Sequence, residues 1–169
     1  MALDHLWAAW RSAYIEQVTA DPPPDPPEGS VFAALLASGR PEDETNIVWR
    51  GERCFAILNA YPYTNGHLLV LPVRVVPDLA DLEDDEHAEL WSAVRDAVVA
   101  VRTAYRCDGV NVGANLGRAA GAGIPRHVHV HVLPRWDGDT NFMTSVAGTR
   151  VMPEGLVTSR RKIAEAWPS

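Results

Sequence analysis

The sequence predicts an α+β domain: an antiparallel sheet of about five strands with one long helix and a C-terminal helix. Three observations carry this expectation. Short apolar runs bounded by Gly, Pro, Asn and Asp recur at hairpin spacing between residues 46 and 73. One uninterrupted stretch, from about Glu83 to Tyr105, has helical periodicity. Finally, His127-Val128-His129-Val130-His131 alternates strictly, which is the period of a strand with two unlike faces.

In chain order, Leu3, Leu6, Trp7, Trp10, Tyr14 and Val18 recur at helical spacing and predict a short amphipathic arm. The stretch Asp21 to Gly29 holds Pro22, Pro23, Pro24, Pro26 and Pro27. It can be neither helix nor sheet, so residues 1–29 read as an arm and connector and 30–169 as the main domain. Val31 to Ala37 suits one short helix. Asn46–Trp49 and Arg53–Asn59 read as strands around a turn at Gly51. His67–Val73 is a third strand, after the turn-rich Pro62-Tyr63-Thr64-Asn65-Gly66. The long helix begins in a crowd of acidic residues, with Asp81 or Asp84 as its cap and Leu90, Val94, Ala97, Val98 and Val101 as its apolar stripe. Gly109 is the expected stop. Val110–Asn115 is then a strand, Leu116–Gly123 a glycine-rich loop, and the histidine strand follows. Leu156, Ile163 and Trp167 give the tail after Pro153 a helical spacing.

At 169 residues, 47% hydrophobic and 22% charged, the chain has the composition of one globular domain. No apolar run approaches a membrane span, and no basic-then-apolar leader opens the chain. Cys54 and Cys107 form no CxxC pair and read as reduced thiols, which points to the cytoplasm. The net charge of −7 argues against nucleic acid as a partner, though it leaves room for a small anionic substrate in a locally positive pocket.

The three imidazoles would line one strand face, roughly 7 Å between next-but-one neighbours, with valines packed on the other. Imidazole titrates nearest neutrality, so such a row suits metal ligation, nucleophilic attack at phosphorus with proton transfer, or an inert His-rich surface. The glycine-rich loop beside it favours phosphate. Backbone N–H groups from Asn115 to Gly123 can approach an anion closely, and Arg118 and Arg126 flank the loop.

The run His127 to Leu133 resembles the signature of the histidine triad (HIT) superfamily of nucleotidyl hydrolases and transferases. The resemblance covers nearly the whole chain. It includes Leu6-Trp7-Ala8-Ala9-Trp10-Arg11, Ala56 to Tyr63 with Gly66-His67-Leu68-Leu69-Val70, Asn111-Val112-Gly113, Asn115-Leu116-Gly117, and Pro134-Arg135-Trp136 with Gly138 to Phe142. These segments are similar to diadenosine-tetraphosphate phosphorylases of the actinobacterial branch. The resemblance implies a HIT-like fold with sheets joined across a homodimer. It also implies cleavage of dinucleoside polyphosphates, adenine nucleotides foremost, through a covalent nucleotidyl-histidine.

By the same resemblance His129 is the nucleophile, His131 contacts the phosphate and protonates the leaving group, and His127 supports them by hydrogen bonding. His67 matches a fourth histidine, Asn59 a ribose-binding amide, and Ile57 a base contact. Asn115, Gly121 and Gly123 match the phosphate-side loop, and Trp136 a base-stacking or entrance residue. Two departures stand out. Many bacterial relatives carry a zinc-binding Cys-x-x-Cys where this chain has Ser30-Val31-Phe32-Ala33, so no zinc is expected there. Relatives carry Gln or Ser where Gly123 stands, which weakens the case for phosphate as the second-step acceptor. No other cofactor is implied, although Mg²⁺ can accompany such a substrate. Hydrolysis, phosphoramidate cleavage and a nucleotide-binding module of little activity are the alternatives.

Overall fold

The computed structural model describes residues 30–139 and 154–168. The expected N-terminal arm, the proline-rich connector and the Thr140–Phe142 motif lie outside them.

Five strands form one sheet in the order β1-β2-β3-β5-β4, every neighbouring pair antiparallel. They are β1 Ile47–Arg50, β2 Cys54–Leu58, β3 Leu68–Pro72, β4 Gly109–Ala114 and β5 Val130–Arg135. The helices are α1 Val31–Ala37, α2 Glu42–Thr45, α3 Asp84–Tyr105 and α4 Leu156–Glu165. The short α2 was not expected: four residues behind Pro41 are too few to show a period.

Alternation sorts the strands onto two faces. Cys54, Ala56 and Leu58, Leu68 and Val70, and Val130 and Val132 join Leu90, Val94, Ala97 and Val101 of α3 and Ile163 of α4 in the main core. Phe55 and Ile57 with Leu69 and Leu71 point the other way, under Phe32 of α1. Val98 is only partly buried at the edge of the stripe. Regular pairing of the histidine segment starts at Val130. His127 to His129 form an irregular lead-in that starts in a bend at His127 and is held by the Val128 N–H on the Val76 carbonyl at 2.7 Å.

Both ends of the long helix differ from expectation. Glu83, not Asp81 or Asp84, is the N-cap, and the Glu86 carboxylate three residues on accepts the Glu83 backbone N–H at 2.9 Å. Glu86 also binds Arg74, and this pairing holds its carboxyl below the usual carboxylate range. The cap therefore falls to the residue that fits this reciprocal bonding, and Asp81 belongs instead to a 3₁₀ turn at Leu79–Asp81. At the other end Arg106 adopts φ 47 and donates its N–H to the Arg102 carbonyl. The helix thus stops before Gly109, which opens β4.

The β1–β2 turn is clamped to α3, because Glu89 accepts the backbone N–H groups of Arg53 and Cys54, each at 2.9 Å. A side chain at Gly51 would meet that carboxylate at 2.2 Å, so close approach requires glycine there.

The helix face can be tested directly. Leu90 is fully buried and Val99 is 46% exposed. Leu90→Ala is expected to cost about 2–5 kcal/mol in urea unfolding and Val99→Ala within about 0.5 kcal/mol. Equal costs would contradict the placement of this helix.

Candidate active site

The site lies on the sheet face opposite α3. Its geometry begins with β3 against β5, where Leu69 pairs with His131 and Leu68 with Val132. His67, just before β3, then falls diagonally beside His131, with ring centroids 5.1 Å apart. The loop before it is closed by the Asn59 N–H on the His67 carbonyl at 2.9 Å. Gly66 sits there at φ +73, where a Cβ would strike the Tyr105 ring at 2.4 Å.

The protons in this cluster can be placed by asking which partner can only donate or only accept. The Tyr63 backbone N–H points at His67 Nδ1 at 3.1 Å, so Nδ1 is an acceptor and the proton sits on Nε2. His67 Nε2–H then donates to His131 Nδ1 at 2.8 Å. That leaves the His131 proton on Nε2, a buried atom with no hydrogen-bond partner among the described residues. In His129, Nδ1 lies 2.8 Å from the His127 carbonyl and must carry the proton, which leaves Nε2 as a lone pair. The His129 and His131 rings meet edge-to-face with centroids 5.0 Å apart. A bare nitrogen and an N–H donor without a partner among the described residues therefore sit on neighbouring rings.

His127 differs from its neighbours. It is fully buried, Nε2–H donates to the Pro72 carbonyl at 2.8 Å, and Nδ1 faces the Ser30 hydroxyl at 2.8 Å. Burial holds all three triad imidazoles below the ordinary histidine range, in His131 down to about 4. Each is neutral at pH 7.

A cleft of ≈ 280 Å³ opens at His131, bordered by Tyr63, Asn111, Gly113, Asn115 and Leu133. Of the expected residues, His67, His129, His131 and Asn59 come together, and Asn115 borders the cleft. The Asn59 amide is drawn into the loop: Oδ1 accepts the Tyr61 N–H at 3.0 Å, and Nδ2 lies 3.4 Å from His67 Nδ1. Ile57 is buried in the smaller core under Phe32. Trp136 packs edge-to-face on Tyr105, at the end of the long helix.

The glycine-rich loop departs from expectation in one respect. The N–H groups of Ala120, Gly121 and Ala122 are bonded to the carbonyls of Gly117 and Arg118, because the loop winds into a 3₁₀ turn. They are not open to an anion as the loop now stands. Gly123 lies beyond that turn, exposed, as are Arg118 and Arg126.

Sequence reasoning missed Ser30 and Tyr63 as parts of the site. Ser30 carries a local signal, a serine before an apolar helical run. Its pairing with a residue 97 positions away has none.

Comparison with known proteins agrees with this geometry. Residues 40–138 match the family model described as "HIT domain". The chain belongs to the HIT domain family. It is 40% identical over 167 residues to a protein of Mycobacterium tuberculosis named AP-4-A phosphorylase, spanning 98% of this chain and 85% of that one. It is 35% identical over 95 residues to an asymmetrical bis(5′-nucleosyl)-tetraphosphatase of Schizosaccharomyces pombe, covering 56% of this chain and 52% of the relative. Among solved structures, a Zn-bound histidine triad family protein of Mycobacterium smegmatis superposes with TM-score 0.65 at 30% identity, over 80% of this chain and 91% of that one. Its HIT fold, an antiparallel five-stranded sheet with helices, is the α+β architecture expected from the sequence.

A neutral triad carries a stability consequence. His131 binds its proton near pH 4 when folded and near 6.5 when unfolded, so between those values the unfolded chain holds more protons. Its contribution is therefore complete above pH 6.5 and is lost as pH falls toward 4. The urea midpoint should drop across that window, less steeply in His131→Gln, and an NMR titration of wild type should show His131 neutral at pH 5.5.

Proposed function

We propose that this HIT protein cleaves dinucleoside polyphosphates such as diadenosine tetraphosphate through a covalent nucleotidyl-His129 intermediate, with inorganic phosphate as the second-step acceptor. The observation that carries this reading is that His129, with a bare Nε2, lies edge-to-face against His131, whose Nε2–H has no partner among the described residues. In the first step His129 Nε2 forms a bond to the α-phosphorus while the bond to the leaving nucleotide breaks. His131 donates a hydrogen bond from Nε2–H toward the leaving oxygen and keeps its proton, so the leaving nucleotide departs as a phosphate anion. In the second, an anionic oxygen of monohydrogen phosphate attacks the same phosphorus, the P–N bond breaks to restore neutral His129, and the acceptor's remaining proton stays on the terminal phosphate of the product. Because both nitrogens are set before substrate arrives, catalysis draws mainly on positioning and on directed donors.

On this reading Asn59 serves the nucleoside end, Asn115 and Gly123 the phosphate end, and His67 holds the tautomer of His131, whereas the Gly121 N–H and the Ile57 side chain are already taken up by the protein itself. Trp136 would reach substrate only from the end of β5. The similarity to a named AP-4-A phosphorylase supports phosphate as acceptor. Hydrolysis, with water in that place, is supported by Gly123, which has no side chain to hold a phosphate ion.

The reading also excludes zinc at residues 30–33. Ser30 and Ala33 offer a hydroxyl and a methyl group, and both ring nitrogens of His127 are engaged by protein groups. Mg²⁺ would come, if at all, with the substrate. No described helix is long and apolar enough to cross a membrane. The reading includes a homodimer that joins the two sheets, and β4, an edge strand with Asn111, Val112 and Gly113 exposed, is the edge proposed for it.

Incubation with diadenosine tetraphosphate, with and without phosphate, separates the acceptors. ADP plus ATP appearing only with phosphate is the expected result, whereas AMP plus ATP without it means hydrolysis. His129→Ala is expected to lower turnover at least about 10³-fold, and wild-type turnover in that variant would remove the covalent mechanism.

A further inference from the structure

One chain of contacts behind the site is not used by the reaction steps. Ser30 is the N-cap of α1, its Oγ accepting the Phe32 N–H at 3.2 Å. The same Oγ lies 2.8 Å from His127 Nδ1. Both side chains are almost wholly enclosed, Ser30 at 1% and His127 at 0% exposure. Since His127 Nε2 faces the Pro72 carbonyl, its proton is there, and Nδ1 can only accept. The Ser30 hydroxyl is the donor it receives. His127 in turn presents the backbone carbonyl that fixes the Nδ1–H of His129.

We infer that Ser30 is a positioning residue: through its hydroxyl it locks the tautomer and ring of His127, and so seats the His127 carbonyl that leaves His129 Nε2 bare. The consequence for turnover rests on the proposed role of His129. The lock itself does not.

Loss of the hydroxyl leaves a buried ring nitrogen without its donor. That nitrogen is satisfied again only if the proton moves or the ring turns, and either change abandons the Pro72 carbonyl. The lead-in at residues 127 to 129 precedes the regular β3–β5 ladder and has few bonds of its own. A shift of the His127 ring there is passed directly to its carbonyl. Displacements of about 1 Å suffice to cost a reaction up to about 10²-fold.

Three substitutions test this. Ser30→Gly keeps a tolerated N-cap but has no hydroxyl, Ser30→Thr keeps both functions, and Ser30→Asp caps the helix but can only accept from His127. Long-range proton–nitrogen NMR should show His127 as a single Nε2–H tautomer in wild type and Ser30→Thr. It should show a mixture in Ser30→Gly and a protonated Nδ1 in Ser30→Asp. Turnover of diadenosine tetraphosphate should fall about tenfold or more in the Gly and Asp variants, with KM within about twofold, and recover in Thr. A single unchanged His127 tautomer in Ser30→Gly and Ser30→Asp would overturn the lock whatever the reaction proves to be. A changed tautomer with wild-type turnover would overturn the positioning role. Failure of the His129 reading shows separately, as turnover retained in His129→Ala, because the NMR measurement needs no substrate.

Discussion

The register of β3 against β5 is the constraint on which the rest of the site depends. Side chains on a strand alternate between faces, so pairing Leu69 with His131 sends His67, Leu69, His129 and His131 to one side of the sheet. It sends Leu68, Val70, Val130 and Val132 to the side covered by the long helix. A slip of one residue would drive imidazoles into the apolar core and bring valines to the cleft. The apolar pattern therefore specifies the chemistry as firmly as the histidines do, because it forbids any other placement of their rings. The two halves of the site meet only through this pairing, since His67 and His131 are 64 positions apart.

Much of this was legible in the residues. Strict His-Val alternation announced a two-faced strand, and the apolar stripe of residues 90 to 101 announced the helix. What could not be read was any choice among near equivalents. Five acidic residues crowd the start of the long helix, and only Glu83 has Glu86 three residues on with Arg74 to hold it in place. Gly109 looked like a stop, yet Arg106 takes the left-handed conformation because its N–H reaches Arg102. Within the site, residue types were legible and protons were not. Which nitrogen of each imidazole is bare depends on Tyr63, Pro72, Ser30 and a backbone carbonyl, partners that chain folding brings from elsewhere.

The backbone groups among those partners share a property that makes the arrangement unambiguous. A backbone N–H can only donate and a carbonyl can only accept, so each imidazole next to one has a single neutral tautomer. A carboxylate at any of these places would have favoured an imidazolium and spread the charge. The hydrogen-bond partners of His127 and His129 among the described residues are instead a hydroxyl and backbone carbonyls. Burial lowers the pH at which each triad imidazole gains a proton, in His131 to about 4. The site is defined by direction more than by charge.

That design bears on how a protein of net charge −7 could work on a polyanion. A field of cationic side chains would draw phosphate in but would also protonate poorly and hold product. Here the exposed Arg118 and Arg126 lie on the loop, outside the buried cluster, and the cluster itself offers one N–H with no partner among the described residues and, on the neighbouring ring, one lone pair. An unfilled buried donor costs the folded protein stability, on the order of 1–3 kcal/mol. In the proposed reaction a phosphoryl oxygen accepting that N–H would recover the cost, and would do so most where negative charge grows on the oxygen, which favours the transition state over bound substrate.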